Sequence, residues 1–120
     1  MTRTRGSAKA AGSSMERLVA DYFKVNGFPF ADRRVKTGAK DCGDVGGVHV
    51  HDRRLAIEVK NYGGRLEPST WLKEAQVEAA NDQAAVGLVV AKRRGTTDPG
   101  QQYVLMELAD LVFLLNGTRP

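Results

Sequence analysis

Asp44, Glu58 and Lys60 are the residues of this 120-residue chain whose types and spacing could do chemistry together. Glu58 lies fourteen positions after Asp44 and Lys60 two after Glu58, in the runs Gly43-Asp44-Val45 and Leu55-Ala56-Ile57-Glu58-Val59-Lys60. Two carboxylates and an ammonium on otherwise apolar segments destabilise a fold unless something offsets them. Hydrolysis of a phosphodiester asks for such a set: a cation that stabilises charge on the phosphate, a positioned water, and a group that orients or deprotonates it. Mg2+ is hard and takes one or two carboxylates together with waters and substrate oxygens. Asp44 and Glu58 are the candidate ligands, and Lys60 the group that holds the water or neutralises developing charge.

The elements that must position these groups follow from pattern. Side chains alternate along a strand, so Leu55, Ile57 and Val59 face a core while Ala56, Glu58 and Lys60 face the other way. The alternative is a surface ion pair on a solvent-facing strand. Val45 to Val50 predicts a preceding strand weakened by Gly46 and Gly47, which mark a bulge or a close backbone approach. His51 to Arg54 is then a hairpin turn, and the hairpin brings Asp44 beside Glu58. Phe28 to Val35 predicts an earlier strand near a sheet edge, because Pro29 cannot donate to a ladder. Thr37 to Gly43 reads as a loop. Asp41, within it, competes with Asp44 as ligand; Asp44 is preferred because it adjoins the strand.

Helices frame the strands. Met15, Leu18, Val19, Tyr22 and Phe23 form one apolar face of a helix from Ser13 to Gly27. Ser13-x-x-Glu16 has the form of a capping box, so Glu16 either caps this helix or points into a cleft beside the sheet. Pro68 or Ser69 opens a second helix to about Asn81, with Leu72, Ala75, Gln76, Ala79 and Ala80 inward. Gln76 on that stripe is either a hydrogen-bonded helix residue or a functional one; Trp71 reads as packing. Val86 to Ala91 is a continuous apolar run, a central strand buried on both faces. Tyr103 to Met106 predicts a short strand, and Glu107 to Asn116 a last helix with Leu108, Leu111, Val112 and Leu115 inward. The expected fold is α/β, a mixed central sheet flanked by helices.

Composition narrows the class. At this length the chain is one domain, read as 13–120, preceded by a flexible basic arm over 1–12 carrying Arg3, Arg5 and Lys9. The net charge of +4 suits a polyanionic partner. Residues 1–40 carry nine Lys/Arg against three Asp/Glu, and residues 41–80 five against seven, as expected of a basic surface around an acidic metal pocket. Cys42 is the only cysteine, which excludes an internal disulfide and a cysteine-rich zinc site. No apolar run approaches a membrane span or a signal-peptide core, so the expected setting is cytoplasmic, without membrane association. His49-x-His51 lacks a third ligand and reads as turn-flanking. Cys42 lacks partners for nucleophilic catalysis, and no phosphate-binding loop supports a nucleotide cofactor. Lys92-Arg93-Arg94 is either a solvated charge run or, at a strand end, a phosphate contact.

A helix bearing Glu16, a strand, Gly43-Asp44-Val45, Ile57-Glu58-Val59-Lys60 and a helix bearing Gln76, in that order, resembles the PD-(D/E)XK nuclease superfamily. Within it the likeness is strongest to the small archaeal- and phage-type Holliday junction resolvases, over roughly residues 13–95. Gly43 stands where the family's motif often has proline. The resemblance implies a restriction-endonuclease-like αβββαβ core, and a homodimer that cuts four-way DNA junctions symmetrically in recombination or repair. Its cofactor would be Mg2+, with Mn2+ able to substitute, and its products would carry 5′-phosphate and 3′-hydroxyl ends. Carried over by position, Asp44, Glu58 and the Val59 carbonyl match the metal ligands and Lys60 the motif lysine. Glu16 and Gln76 match the assisting helix residues. Arg33, Arg34, Lys36, Thr37, Lys40, Lys92, Arg93 and Arg94 are the expected DNA contacts. The alternatives are another nuclease of the superfamily, of nicking, repair or restriction type, and a DNA-binding recombination accessory that does not cut.

Overall fold

The computed structural model describes residues 3–35 and 40–120. Its first helix, α1, runs Arg5–Val25 and so begins well before Ser13. Thr4 is the reason: its hydroxyl accepts from the Ser7 N–H at 3.0 Å and caps the helix. Ala8, Ala10 and Ala11 carry the following turns on intrinsic propensity alone, which leaves no apolar stripe to read before Met15. Most of the expected flexible arm is therefore helix, and Ser13-x-x-Glu16 lies inside it. Glu16 is not a capping residue. Met15, Val19 and Ala20 are buried, while Leu18 and Tyr22 lie at the margin of that face.

Among the described residues six strands follow in one mixed sheet: β1 (Asp32–Arg33), β2 (Val45–Gly46), β3 (His49–Val50), β4 (Arg53–Lys60), β5 (Val86–Ala91) and β6 (Tyr103–Leu105). Their order is β1-β2-β4-β5-β6, with β3 also beside β4; β4 and β5 are parallel and every other pair is antiparallel. The strand expected over Phe28 to Val35 shrinks to two residues at the sheet edge, leaving Phe30 and Val35 exposed. The strand expected over Val45 to Val50 breaks at Gly47, where φ is +80° and a Cβ would lie 1.9 Å from the Phe30 carbonyl oxygen. Only glycine permits that approach. The turn is tighter than expected, two residues, His51 and Asp52, both with positive φ.

Helix α2 (Pro68–Asp82) crosses over between parallel strands β4 and β5, and α3 (Leu108–Asn116) closes the described chain. All six residues of β5 are buried, as its unbroken apolar run predicts. On one face of the sheet Leu55, Ile57 and Val59 of β4 pack with Met15 and Val19 of α1 and Phe113 of α3. On the other, Trp71 and Ala75 of α2 pack on Val89 and Ala91. There α2 lies so close to β5 that a Cβ on Gly87 would be 2.2 Å from the Ala75 carbonyl oxygen.

Both later helices are rotated from the expected faces. The buried stripe of α2 is Trp71, Ala75, Glu78, Ala79 and Asp82. In α3 the buried residues are Asp110 and Phe113, while Leu108 and Leu115 are 75% and 76% exposed. Polar anchors decide both. Both carboxylate oxygens of Asp82 accept from one nitrogen of Arg34, Nη2, at 3.0 and 2.9 Å. Asp110, fully buried, accepts from Arg119 at 2.6 Å and from the Gln76 amide at 3.0 Å. A buried carboxylate left without those partners would destabilise more than an exposed leucine does. Among the described residues no helix is long and apolar enough to cross a membrane.

Candidate functional site

The site is built where the loop before β2 meets β4. Gly43 has φ +100°, and a Cβ there would lie 3.1 Å from the Ile57 carbonyl oxygen, so glycine lets the loop press against the strand. The Asp44 N–H then donates to that carbonyl at 2.8 Å. The Asp44 side chain, 3% exposed, turns along the strand, and its Oδ2 accepts from the Val59 N–H at 2.8 Å. Asp44 is thereby seated beside Glu58.

Glu58 and Lys60 project from β4 toward α2, as alternation requires. Glu58 is buried; its Oε1 lies 3.8 Å from the Lys60 ammonium, and its Oε2 has no hydrogen-bond partner. Burial, then contact with Glu78 and Asp44, raises the Glu58 carboxyl far above the ordinary glutamate range. Burial alone would lower the Lys60 pKa, but Glu74 and Glu58 outweigh it and the value is raised. The shorter contact of Lys60 is with Glu74, 2.7 Å from Nζ to Oε2.

Asp44, Glu58, Val59 and Lys60 line one cavity of about 420 Å3, which Glu16 and Gly12 of α1 close from the other side. Arg3 reaches its rim, donating to the Asn61 carbonyl at 2.7 Å. Glu16 also accepts from Arg33 at 3.4 Å. Through Glu16 and Gly12 the cavity adjoins a second, of about 630 Å3, lined by Lys9, Arg17, Arg33 and Arg34 together with Asp32. An acidic chamber thus abuts a basic one.

Not every expected site residue gathers there. Gln76 holds Asp110 of α3 and does not reach the cavity lining. The guanidinium of Arg34 is held by Asp82. Lys92 folds back, its ammonium donating to the carbonyls of Arg93 and Thr96. Arg93 lies over the Tyr103 ring and Arg94 donates to the Gly63 carbonyl at 3.3 Å, both exposed at the carboxyl ends of the parallel strands. Lys40 is exposed beside the loop. Lys36 and Thr37 lie outside the described residues. His51 contacts the Leu114 carbonyl at 3.0 Å and packs edge-on to Phe113, a structural role at the turn.

Two further acids stand in the site. Glu78 of α2 is buried, with burial raising its pKa and Oε2 without a partner. Carboxylate oxygens of Asp41, Glu58 and Glu78 lie within 4.8 Å of one another. A signal for Glu78 exists in the sequence: Trp71, Ala75, Glu78 and Asp82 share one helical stripe, which a choice of Trp71 over Leu72 as its anchor exposes.

Two carboxylates crowded out of water, Glu58 and Glu78, with the exposed Asp41 beside them, must hold protons or a cation. The orphaned oxygens of Glu58 and Glu78, and a donor set free of sulfur and imidazole, fit an ion of the Mg2+ type. No protein-family model, no curated protein and no solved structure matches the chain.

Proposed function

We propose that the chain is a Mg2+-dependent, structure-selective DNA endonuclease built on the restriction-endonuclease-like αβββαβ plan, a Holliday junction resolvase acting as a homodimer. The observation that carries this reading is the convergence of Asp44 from the loop before β2, of Glu58, Val59 and Lys60 from β4, and of Glu16 from α1, on one cavity open to solvent. The neighbouring basic cavity, with Lys9 and Arg33, suits the flanking phosphates of a DNA strand. Two symmetric cuts call for two sites related by a dyad, hence the homodimer.

The residues act in an order set by their geometry. Asp44, held by the Val59 N–H, and Glu58 would hold the ion with the Val59 carbonyl. Bound there, Mg2+ or Mn2+ would withdraw charge from the scissile phosphate and acidify a water. Lys60 stays an ammonium beside Glu74 and Glu58, so it acts as a donor through Nζ: it orients the attacking water or balances charge on a phosphate oxygen. Glu16, on the opposite wall, accepts a hydrogen bond from that water and directs it.

The test is incubation with a four-way junction and with matched duplex, each with and without Mg2+. Mg2+-dependent, paired nicks in the junction alone are expected. Cleavage of no DNA overturns the enzyme reading, and equal cutting of duplex replaces the resolvase with another nuclease.

A further inference from the structure

We infer that Asp41, Glu58 and Glu78 form a seat for an oxygen-preferring divalent cation on the α2 side of β4, with Glu58 shared with the cavity that Asp44 and Lys60 line. The seat deepens the cation reading given above through that shared residue, but it does not depend on DNA cleavage.

Three separate elements converge on it: the loop before β2 supplies Asp41, β4 supplies Glu58 and α2 supplies Glu78, with their ligand oxygens within 4.8 Å of one another. Proximity of acids alone would mean little. The telling feature is that Oε2 of Glu58 and Oε2 of Glu78 are both removed from solvent with no N–H or ammonium donor, on residues only 6% and 5% exposed, the two acidic side chains meeting each other instead. Buried carboxylate oxygens are otherwise met by N–H groups or cations, because desolvating them without one is strongly unfavourable. The nearest ammonium does not meet this need. Lys60 makes its short contact with Glu74, and its longer one is to Oε1 of Glu58 rather than to the orphaned Oε2.

The donors are also held in place by groups that leave their free oxygens alone. The Asn81 side chain donates to the Asp41 carbonyl at 2.9 Å, tying the loop to α2. The Gly43 N–H donates to Oδ1 of Asp41 at 2.9 Å. Glu78 is carried on the helix that the Gly87–Ala75 approach fixes against the sheet. Asp41 is exposed where Glu58 and Glu78 are buried, so it marks the side by which an ion enters. Three carboxylates and no His or Cys select Mg2+, Mn2+ or Ca2+ over Zn2+ or Cu2+.

Mn2+ is the probe. Its free electron-paramagnetic-resonance signal is titrated against wild type, Glu78→Gln, Asp41→Asn and, as a control for charge at the N-cap of the same helix, Glu67→Gln; melting temperatures are taken with and without Mn2+. Wild type and Glu67→Gln should bind Mn2+ and melt higher with it. Glu78→Gln should bind at least about tenfold more weakly and lose most of the melting shift, as loss of a charged ligand implies. Should Glu78→Gln fail to fold, Asp41→Asn at its exposed position gives the same reading and should weaken binding several-fold. Binding and melting shifts like wild type in whichever of these variants folds, or no Mn2+ binding by wild type, overturn the seat. Mn2+ binding that depends on Glu78 in a protein that cuts no DNA supports the seat and defeats the nuclease reading. Junction cleavage by a protein whose Mn2+ binding is indifferent to Glu78 does the reverse.

Discussion

The carboxylate of Asp44 accepts a hydrogen bond from the backbone N–H of Val59, 2.8 Å away on the neighbouring element. One lone-pair direction of Asp44 thereby fixes the strand residue next to Glu58, and the position of one acid registers the other. Asn at position 44 keeps an oxygen able to accept from Val59 but gives up the charge. Asp44→Asn and Glu58→Gln are expected to fold, to retain or tighten junction binding, and to lose cleavage by at least about 100-fold, the scale of removing one charge-stabilising group. Parallel cleavage and gel-shift titrations check this; wild-type turnover in either variant removes that residue from the mechanism.

Lys60 stands between Glu74 and Glu58, and the two acids hold it charged. Lys60→Met should abolish cleavage, while Glu74→Gln should leave cleavage in place and shift its pH profile, because the contact that most raises the lysine's pKa is gone. Rate measurements across pH on both variants separate a donor role for Lys60 from a purely structural one. An unchanged rate in Lys60→Met would exclude it from the chemistry.

Stability should depend on pH in an unusual direction. Burial, then contact with Glu78 and Asp44, raises the Glu58 carboxyl, and burial raises Glu78. An acid whose folded pKa exceeds its unfolded one binds more protons in the native state between the two values, so stability falls as pH climbs through that window. The contribution is fully present below the ordinary glutamate value of 4.5 and is lost upward from there. Urea unfolding in chelator from about pH 5 to 8 should show a declining free energy. Glu58→Gln should flatten the decline, and a wild-type profile that rises over this range contradicts it.

Gln76 offers a contrast. Its amide donates to Asp110, which is buried in full and shared with Arg119. Gln76→Ala is expected to reduce stability by about 1.5–3 kcal/mol, as for a hydrogen bond to a charged group, while junction cleavage stays within a few-fold of wild type. A variant as stable as wild type but inactive would place Gln76 in the reaction.

Gly87→Ala tests how α2 is held. The added methyl would meet the Ala75 carbonyl at 2.2 Å, so the helix must lift. A loss of about 1–3 kcal/mol, typical of overpacking, is expected, together with weaker Mn2+ binding because Glu78 moves with the helix. Denaturant unfolding and Mn2+ titration report the two effects separately.

Local pattern made β4 legible. Leu55, Ile57 and Val59 alternate with Ala56, Glu58 and Lys60, and a period of two admits only one division into faces. The unbroken apolar run of β5 was equally plain. What pattern could not supply was the influence of distant partners. The leucines of α3 suggest an inward face, yet Asp110 turns the other way because Arg119 and Gln76 await it. Glu78 is a charged helix residue like many on a surface, and only the crossover that lays α2 on β4 takes it out of water. The early start of α1 was hidden for another reason, since a capped run of alanine, glycine and serine carries no periodicity.

The approach of Gly87 to Ala75 has a meaning for descent as well as for packing. Where helix and sheet are spaced by interlocking side chains, every change in the core can shift the distance between them. Here one backbone rests on another, and the separation of Glu58 from Glu78 is inherited through a missing methyl group. Trp71, Val89 and their neighbours can change size over generations, each change answered by another, while the two acids keep their distance. Lineages of this chain would then diverge widely in core sequence long before they diverge in the geometry of the site.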